Sequence, residues 1–403
     1  MANIKYWLWL SRLPSLNGPM RTALLEHFQN DPEAIYFADR EERALVEGIT
    51  PRQLNDLEDK SLKDADKILG DCQRLGVRII TREDTEYPDR LRSIFDPPML
   101  LYVQGRMPVF DDEVAIAMVG TRNGTPYGQQ TAEKLSFELA SQGALIVSGL
   151  AKGLDAMCHQ GALRAGGSTA AVIGGGHDIQ YPWENRYLYR DIAAAGVILS
   201  EYPPGTEHKG EHFPVRNRII SGLCLGTVVV EAPRRSGALI TAHTALEQGR
   251  DVFAVPGPID AHNSEGTNQL LLEGAIPAIS AENILAEYAS QYPHKLRLRA
   301  VTAPEPIGNR HREETSARRR REEPVEEAPP ALPLLDLKED HGLTDDQIRI
   351  LRCLEGGTLQ VDDIIEATQI PARRVLSALT LLEVEDRVRQ ESGKRFTLAV
   401  TLQ

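Results

Sequence analysis

The chain has 403 residues, 41% of them hydrophobic, with 45 Lys and Arg against 58 Asp and Glu for a net charge of −13. That length exceeds what a single hydrophobic core fills, so two or three domains are expected, and the acidic balance argues against coating duplex DNA by bulk charge, although a local basic groove can still act within a Debye length of about 8 Å. No apolar run reaches the ~20 residues of a membrane span, and Met1–Leu16 lacks the basic start and small-residue cleavage site of a secretory leader, which leaves the cytoplasm as the expected compartment.

Residues 1–72 read as short helices of a small helix-hairpin-helix or SAM-like domain. Leu13-Pro14-Ser15-Leu16-Asn17-Gly18 before Arg21–Leu25 resembles Glu47-Gly48-Ile49-Thr50-Pro51 before a second helix. A glycine turn feeding a helix start can offer backbone N–H groups to a phosphate. Neither hairpin has flanking lysines, so a plain packing domain is the alternative.

From Gly76 the texture changes. Val77–Ile80 and Met99–Val103 look like strands around a Pro97-Pro98 crossing. Apolar strands then follow at Val114–Val119, Ala144–Val147, Thr169–Ile173, Val197–Leu199, Thr227–Val230 and Val252–Val255. Helical patterns separate them near Gln129–Ala140, Asp155–Ala165, Asn185–Ala195, Ala238–Gln248 and Ser264–Glu273. Near-continuous apolar strands alternating with helices predict an α/β fold over 76–290, a doubly wound Rossmann-like parallel sheet covered on both faces.

Residues 291–340 carry Arg318–Arg321 followed by Glu322-Glu323, Glu326-Glu327 and several prolines. With little to bury and charges that largely cancel, this reads as a disordered, charged linker. Within 341–403, Thr344-Asp345-Asp346-Gln347 is a capping box opening a helix through Cys353; Val361–Thr368 forms a second helix, and Pro371 opens a third. Val388–Gln390 and Phe396–Val400 flank Ser392-Gly393 as a hairpin, which completes a winged-helix domain. Acidic residues outnumber basic ones there, so protein contact is as open as DNA contact. Cys72, Cys158, Cys224 and Cys353 form no Cys-x-x-Cys pair, so free thiols are expected rather than a metal site or disulfides.

In a doubly wound sheet the turns after the strands carry the chemistry. After the first parallel strand comes Gly120-Thr121-Arg122, and after the second Ser148-Gly149-Leu150-Ala151-Lys152-Gly153-Leu154-Asp155. After the third comes Gly174-Gly175-Gly176, and after the fifth Glu231-Ala232-Pro233-Arg234-Arg235-Ser236-Gly237, one turn before Thr241. Any one glycine turn can be a tight bend and nothing more, but four glycine-rich or cationic turns on one edge predict an anion-binding rim. Phe213-Pro214-Val215-Arg216-Asn217-Arg218 sets an aromatic beside two arginines, which suits single-stranded nucleic acid. The alternative is a core phenylalanine with arginines paired to Glu201 or Glu231. There is no Gly-x-Gly-x-x-Gly after the first strand, no Gly-x-Ser-x-Gly, no P-loop, and no metal-ligand spacing among His159, His177, His208, His212 and His243, so no catalytic centre, metal or cofactor is expected.

These segments, together with Tyr181-Pro182, Leu199-Ser200-Glu201-Tyr202-Pro203, Val230-Glu231-Ala232, Ser236–Ala242 and Ala254-Val255-Pro256-Gly257, resemble the DNA-processing protein A family (DprA, also called Smf) over essentially the whole chain. The resemblance implies a homodimeric, non-enzymatic protein that binds and protects single-stranded DNA and loads the RecA recombinase during natural transformation. It implies that Gly120, Thr121 and Arg122 hold phosphates, that Phe213 stacks a base, and that Arg216, Asn217 and Arg218 support the groove. Lys152, Arg235, Ser236, Gly237 and Thr241 complete the expected DNA-binding set. The family's lysine three residues before the phenylalanine falls on Gly210 here, with Lys209 beside it. The segment Asn268–Ala275 corresponds to part of the family's dimer contact. The competing reading is a nucleotide-processing phosphoribohydrolase on a related sheet. Those enzymes carry Pro-Gly-Gly-x-Gly-Thr with a catalytic glutamate, where this chain has Ala232–Gly237.

Overall fold

The computed structural model describes residues 4–297, 334–335, 343–355, 357–385, 387–391 and 395–402. Contacts divide the chain near residue 303 into two units, taken separately below.

The first unit opens with α1 (Ile4–Arg12), α2 (Gly18–His27), α3 (Pro32–Phe37), α4 (Arg40–Arg43), α5 (Pro51–Asp56) and α6 (Lys63–Leu75). Local chemistry sets their starts. The Asn17 side chain caps α2 by accepting the Met20 N–H, and Thr50 with Gln53 forms a capping box on α5. Trp7, Leu8, Leu10, Leu24, Leu25, Ile35 and Leu57 bury together, and Leu100 and Tyr102 from the sheet join the same core. Each such fully buried large side chain contributes roughly 1.5–3 kcal/mol. Gly18 abuts the Asp96 carboxylate so closely that no Cβ fits between them, so the start of α2 faces one of the chain's own anions.

The sheet comprises β1 (Arg78–Thr81), β2 (Leu100–Gly105), β3 (Ala115–Val119), β4 (Leu145–Ser148), β5 (Thr169–Ile173), β6 (Val197–Ser200), β7 (Gly226–Val229), β8 (Asp251–Ala254) and β9 (Ile276–Pro277), in the order β1-β2-β6-β5-β4-β3-β7-β8-β9. Its helices are α7 (Asp89–Arg92), α8 (Pro126–Ser141), α9 (Leu154–Arg164), α10 (Arg186–Ala195), α11 (His212–Gly222), α12 (Gly237–Glu247), α13 (Glu265–Leu272) and α14 (Ala281–Ala286). Side chains alternate across the strands: Ala115, Ala117 and Val119 enter one core layer, and Ile116 and Met118 enter the other. That double burial is why these strands read as continuous apolar runs.

The parallel reading holds for β3 to β8, and two features add to it. The sheet is mixed: β1 pairs antiparallel with β2, and β2 antiparallel with β6. The 82–99 connection carries only the four-residue α7, too little helix to cross back over a sheet face as a parallel neighbour requires. The stretch Phe213–Arg218, assigned to no element from the sequence, lies inside α11. Pro214 sits in its first turn, where the missing N–H has no intrahelical partner to lose.

In the second unit, α15 (Asp345–Leu354) begins with the Thr344–Gln347 capping box, followed by α16 (Val361–Thr368) and α17 (Ala372–Val384), which starts directly after Pro371. Short strand β10 (Leu334–Leu335) pairs with β14 (Thr401–Leu402). A second sheet, β11 (Leu359–Gln360), β12 (Val388–Glu391) and β13 (Arg395–Leu398), runs in the order β11-β13-β12, with the expected β12–β13 hairpin, and completes a winged helix around Ile350, Leu354, Ile364, Val375, Leu379 and Phe396. Of the charged linker expected over 291–340, residues 298–333 and 336–340 lie outside the described residues, as does the Ser392-Gly393 turn; the start of that span belongs to the sheet domain, where Tyr292 and Leu296 pack against the core and Lys295 pairs with Glu113 at 2.7 Å. Cys72, Cys158 and Cys224 are buried free thiols and Cys353 is a partly exposed one. Among the described residues, no helix is long and apolar enough to cross a membrane.

Candidate nucleic-acid interface

Chain order and strand order part at β3. The chain lays β4, β5 and β6 outward on one side of it, then returns to set β7, β8 and β9 on the other. Loops leaving β3 and β7 therefore diverge and open a crevice at the carboxyl ends of the strands. It holds a pocket of about 550 Å³. Glu231, only 2% exposed, fastens its two walls. Its carbonyl accepts the Thr121 N–H at 2.9 Å, while its carboxylate accepts the Thr125 N–H at 2.9 Å and the Thr125 hydroxyl. A carboxylate so engaged is a structural clamp, and the adjoining Ala232–Gly237 turn brings no other acid.

Helix α11 supplies one wall. Phe213, Arg216, Asn217 and Ile220 stand at i, i+3, i+4 and i+7, share one face, and all line the pocket. Phe213 is half-buried at the rim, with the Arg122 guanidinium 4.8 Å and the Arg216 guanidinium 5.9 Å from its ring centre. Tyr181 and His208 extend the aromatic surface. Their rings stack at 5.5 Å and 26°, and Tyr181 lies 5.8 Å from Phe213. Sequence reasoning missed both as site residues: the turns after β5 and β6 deliver them, and no local spacing marks that convergence.

Arg216 lies beneath the pocket, 4% exposed, donating through Nη1 to the Gly149 carbonyl at 2.7 Å and to the Val172 carbonyl, and through Nε to Asn217 Oδ1 at 3.2 Å. Gly149 is required there, because a Cβ would sit 2.5 Å from the guanidinium nitrogens. Burial is the largest influence on Arg216 and lowers its pKa, against the charge of buried Asp155; burial likewise lifts the Asp155 carboxyl, against Arg216 and the amides of Ala151 and Gly149. The two charges offset one another below the floor, leaving the exposed cations to face a ligand.

Those exposed cations are Arg122 and Arg235 at the pocket, Lys152 in an adjoining depression that Arg122 also lines, and Lys209 outside both. None makes an ion pair with the described residues, so each is available to a phosphate. Ser236 caps α12 by accepting the Ala238 N–H at 3.3 Å, and buried Thr241 donates to the Gly237 carbonyl at 3.4 Å. Both hydroxyls thus shape the start of α12, whose free N–H groups border the pocket beside Gly120 and Gly237.

Arg218 departs from the expected set. It stands five positions after Phe213, on the other side of α11, and donates to Asp96 Oδ2 at 3.1 Å and Glu201 Oε1 at 2.8 Å. It faces a separate cavity of about 310 Å³ between the helical head and the sheet, and its two ion pairs tie α11 to the connection before β2 and to the turn after β6.

Comparison with known proteins identifies the family. The family model for DNA recombination-mediator protein A matches residues 78–289, and the DprA winged helix domain model matches 326–394. Protein Smf of Synechocystis is 33% identical, with 98% of this chain and 99% of that protein aligned. DNA processing protein DprA of Bacillus subtilis is 44% identical over 55% of this chain and 74% of its own length. The X-ray structure of DNA processing protein A from Streptococcus pneumoniae superposes with a TM-score of 0.64 at 36% identity, covering 70% of this chain and 97% of that one. With a near full-length relative, both domain models and a superposable structure in agreement, the chain belongs to the DNA-processing protein A family of DNA recombination mediators.

Proposed function

We propose that the crevice binds single-stranded DNA, with one base against Phe213 and phosphates on Arg122, Lys152, Arg235 and the start of α12. The observation that carries this reading is the half-buried Phe213 ring held under the unpaired Arg122 guanidinium. A ring face and a planar donor fork, side by side, suit a base and its own phosphate. In a duplex the base faces are already stacked, so this arrangement discriminates against double strands. Lys209 joins from the edge of the site, and Arg216 and Asn217 hold the wall that carries Phe213.

The protein acts without catalysis in this reading. It works in the cytoplasm as a homodimer, protects incoming single strands and passes them to the RecA recombinase during natural transformation. Fluorescence anisotropy with matched single- and double-stranded oligonucleotides tests the central claim. Binding is expected to favour the single strand and to weaken with salt at a log–log slope of about −0.7 per phosphate neutralised. Equal affinity for both forms overturns it.

A further inference from the structure

The crevice does not end at Arg122. The depression beyond it, about 390 Å³, is lined by Arg122, Lys152 and Asn185, and Asn185 also lines the next one along, beside Tyr187. Asn185 is fixed there, its Nδ2 donating to the carbonyls of Leu150 at 3.0 Å and Ala151 at 3.2 Å, directly before Lys152. At the far side stand two of the most exposed rings in the sheet domain, Trp183 at 67% and Tyr187 at 58%. Arg186 sits against both, 4.9 Å from the Trp183 ring centre and 4.2 Å from that of Tyr187. It donates Nη2 to the Tyr187 hydroxyl at 2.9 Å and Nη1 to the Trp183 carbonyl at 3.4 Å, and makes no ion pair with the described residues.

Exposed aromatics held open by an unpaired arginine bury nothing for the fold itself. Their placement continues the candidate site. Tyr181, whose ring lines the Phe213 pocket, is two residues before Trp183, a backbone span of at most about 7 Å. The cations along the way, Arg122, Lys152 and Arg186, complement a phosphate backbone. We propose that Trp183, Arg186 and Tyr187 form a second stacking platform, on which bases of the same DNA strand rest after it leaves the Phe213 pocket across Arg122 and Lys152. This inference rests on the single-strand reading above. It adds a direction for the strand and a reason for long strands to bind better than short ones.

Tryptophan fluorescence of the full chain tests it, because Trp7 and Trp9 are 3% and 4% exposed and Trp183 is the one exposed tryptophan of three. An oligothymidylate of about 15 nucleotides is expected to quench the emission, and one of about 4 nucleotides to leave it largely unchanged. Trp183→Phe should abolish the quenching. Trp183→Ala should lower affinity for the long oligonucleotide by about tenfold while leaving the short one unaffected. An exposed side chain can be truncated without unfolding the protein, and a melting curve confirms this. If the long strand binds in a Phe213-dependent way by anisotropy yet fails to quench Trp183, the platform is overturned and the single-strand reading stands. If no oligonucleotide binds in a Phe213-dependent way, both fall.

Discussion

The Arg122 guanidinium and the Phe213 ring, 4.8 Å apart, are brought together from opposite sides of the crevice, one from the turn after β3 and the other from the first turn of α11. The contact is worth about 0.5–2 kcal/mol, and its larger effect is to hold a flexible side chain in one orientation. The site is thereby partly assembled before DNA arrives, which lowers the ordering cost of binding.

Arg122→Ala should weaken binding to all single-stranded sequences alike, because a phosphate contact carries no base information. The salt dependence should become shallower by roughly 1 unit of log–log slope, read from anisotropy titrations across a salt series. An unchanged slope would assign Arg122 to structure alone.

Phe213→Ala separates a stacking ring from a core ring. A core ring costs about 3–5 kcal/mol of stability when truncated, whereas a half-buried platform leaves the melting temperature nearly unchanged and reduces binding by about 1–3 kcal/mol. The binding loss should be nearly independent of salt, since stacking releases no counterions. Combined with Arg122→Ala, the loss should be smaller than the sum of the two singles, because each residue positions the other.

Arg218→Ala should do the reverse. Its guanidinium is 13% exposed between Asp96 and Glu201, and although burial alone would lower its pKa, those two carboxylates more than reverse the effect. Removing it strands both acids and should cost about 3 kcal/mol, seen as a lower urea midpoint, while affinity per folded molecule for single strands is retained. A loss of affinity with stability unchanged would return Arg218 to the DNA site.

Acid should destabilise the sheet domain through His159. Thr169 donates its hydroxyl to the Ile146 carbonyl at 2.7 Å, so His159 Nδ1, 2.8 Å from that hydroxyl oxygen, carries the proton and donates. Its Nε2 is buried without a partner among the described residues. Burial first, and then the charge of Arg216, lower its pKa from 6.5 to about 3. The unfolded chain therefore takes up a proton below pH 6.5 that the folded one refuses. The stabilisation is complete above pH 6.5 and declines as pH falls toward 3, by about 2 kcal/mol at pH 5. Urea unfolding at pH 7 and pH 5 should show this difference, and His159→Asn, which keeps a donor to Thr169 but cannot titrate, should flatten it. Equal pH dependence in both proteins would remove His159 as the cause.

How much of this was legible depended on the range of the interaction that decided it. The strands β3 to β8 and the cap of α15 could be read because period, burial and capping act within a few residues. Helix α11 could not, because Pro214 and the glycines around it imitate a loop, and the amphipathic face that defines it is half polar. Arg218 is a different case: its pairing with Glu201 was one of the two readings the sequence left open, whereas its second partner, Asp96, is 122 residues away, and no local pattern reports such a contact. Tyr181 and His208 likewise acquire their meaning only once the β5 and β6 turns meet over the sheet.

The outermost strand at the β8 end of the sheet has a consequence for self-assembly. Strand β9 is two residues long, and its second residue is Pro277, which has no N–H to donate. That end is a blunted edge, unable to template further backbone pairing, so two copies meeting there cannot fuse their sheets into one. Any association on that side must instead be read by side chains, among which Ile259, Leu272 and Ile279 stand 95%, 83% and 73% exposed. Such a contact can be tuned or dissolved by single substitutions, and it protects the protein from the open-ended polymerisation that an unguarded strand invites.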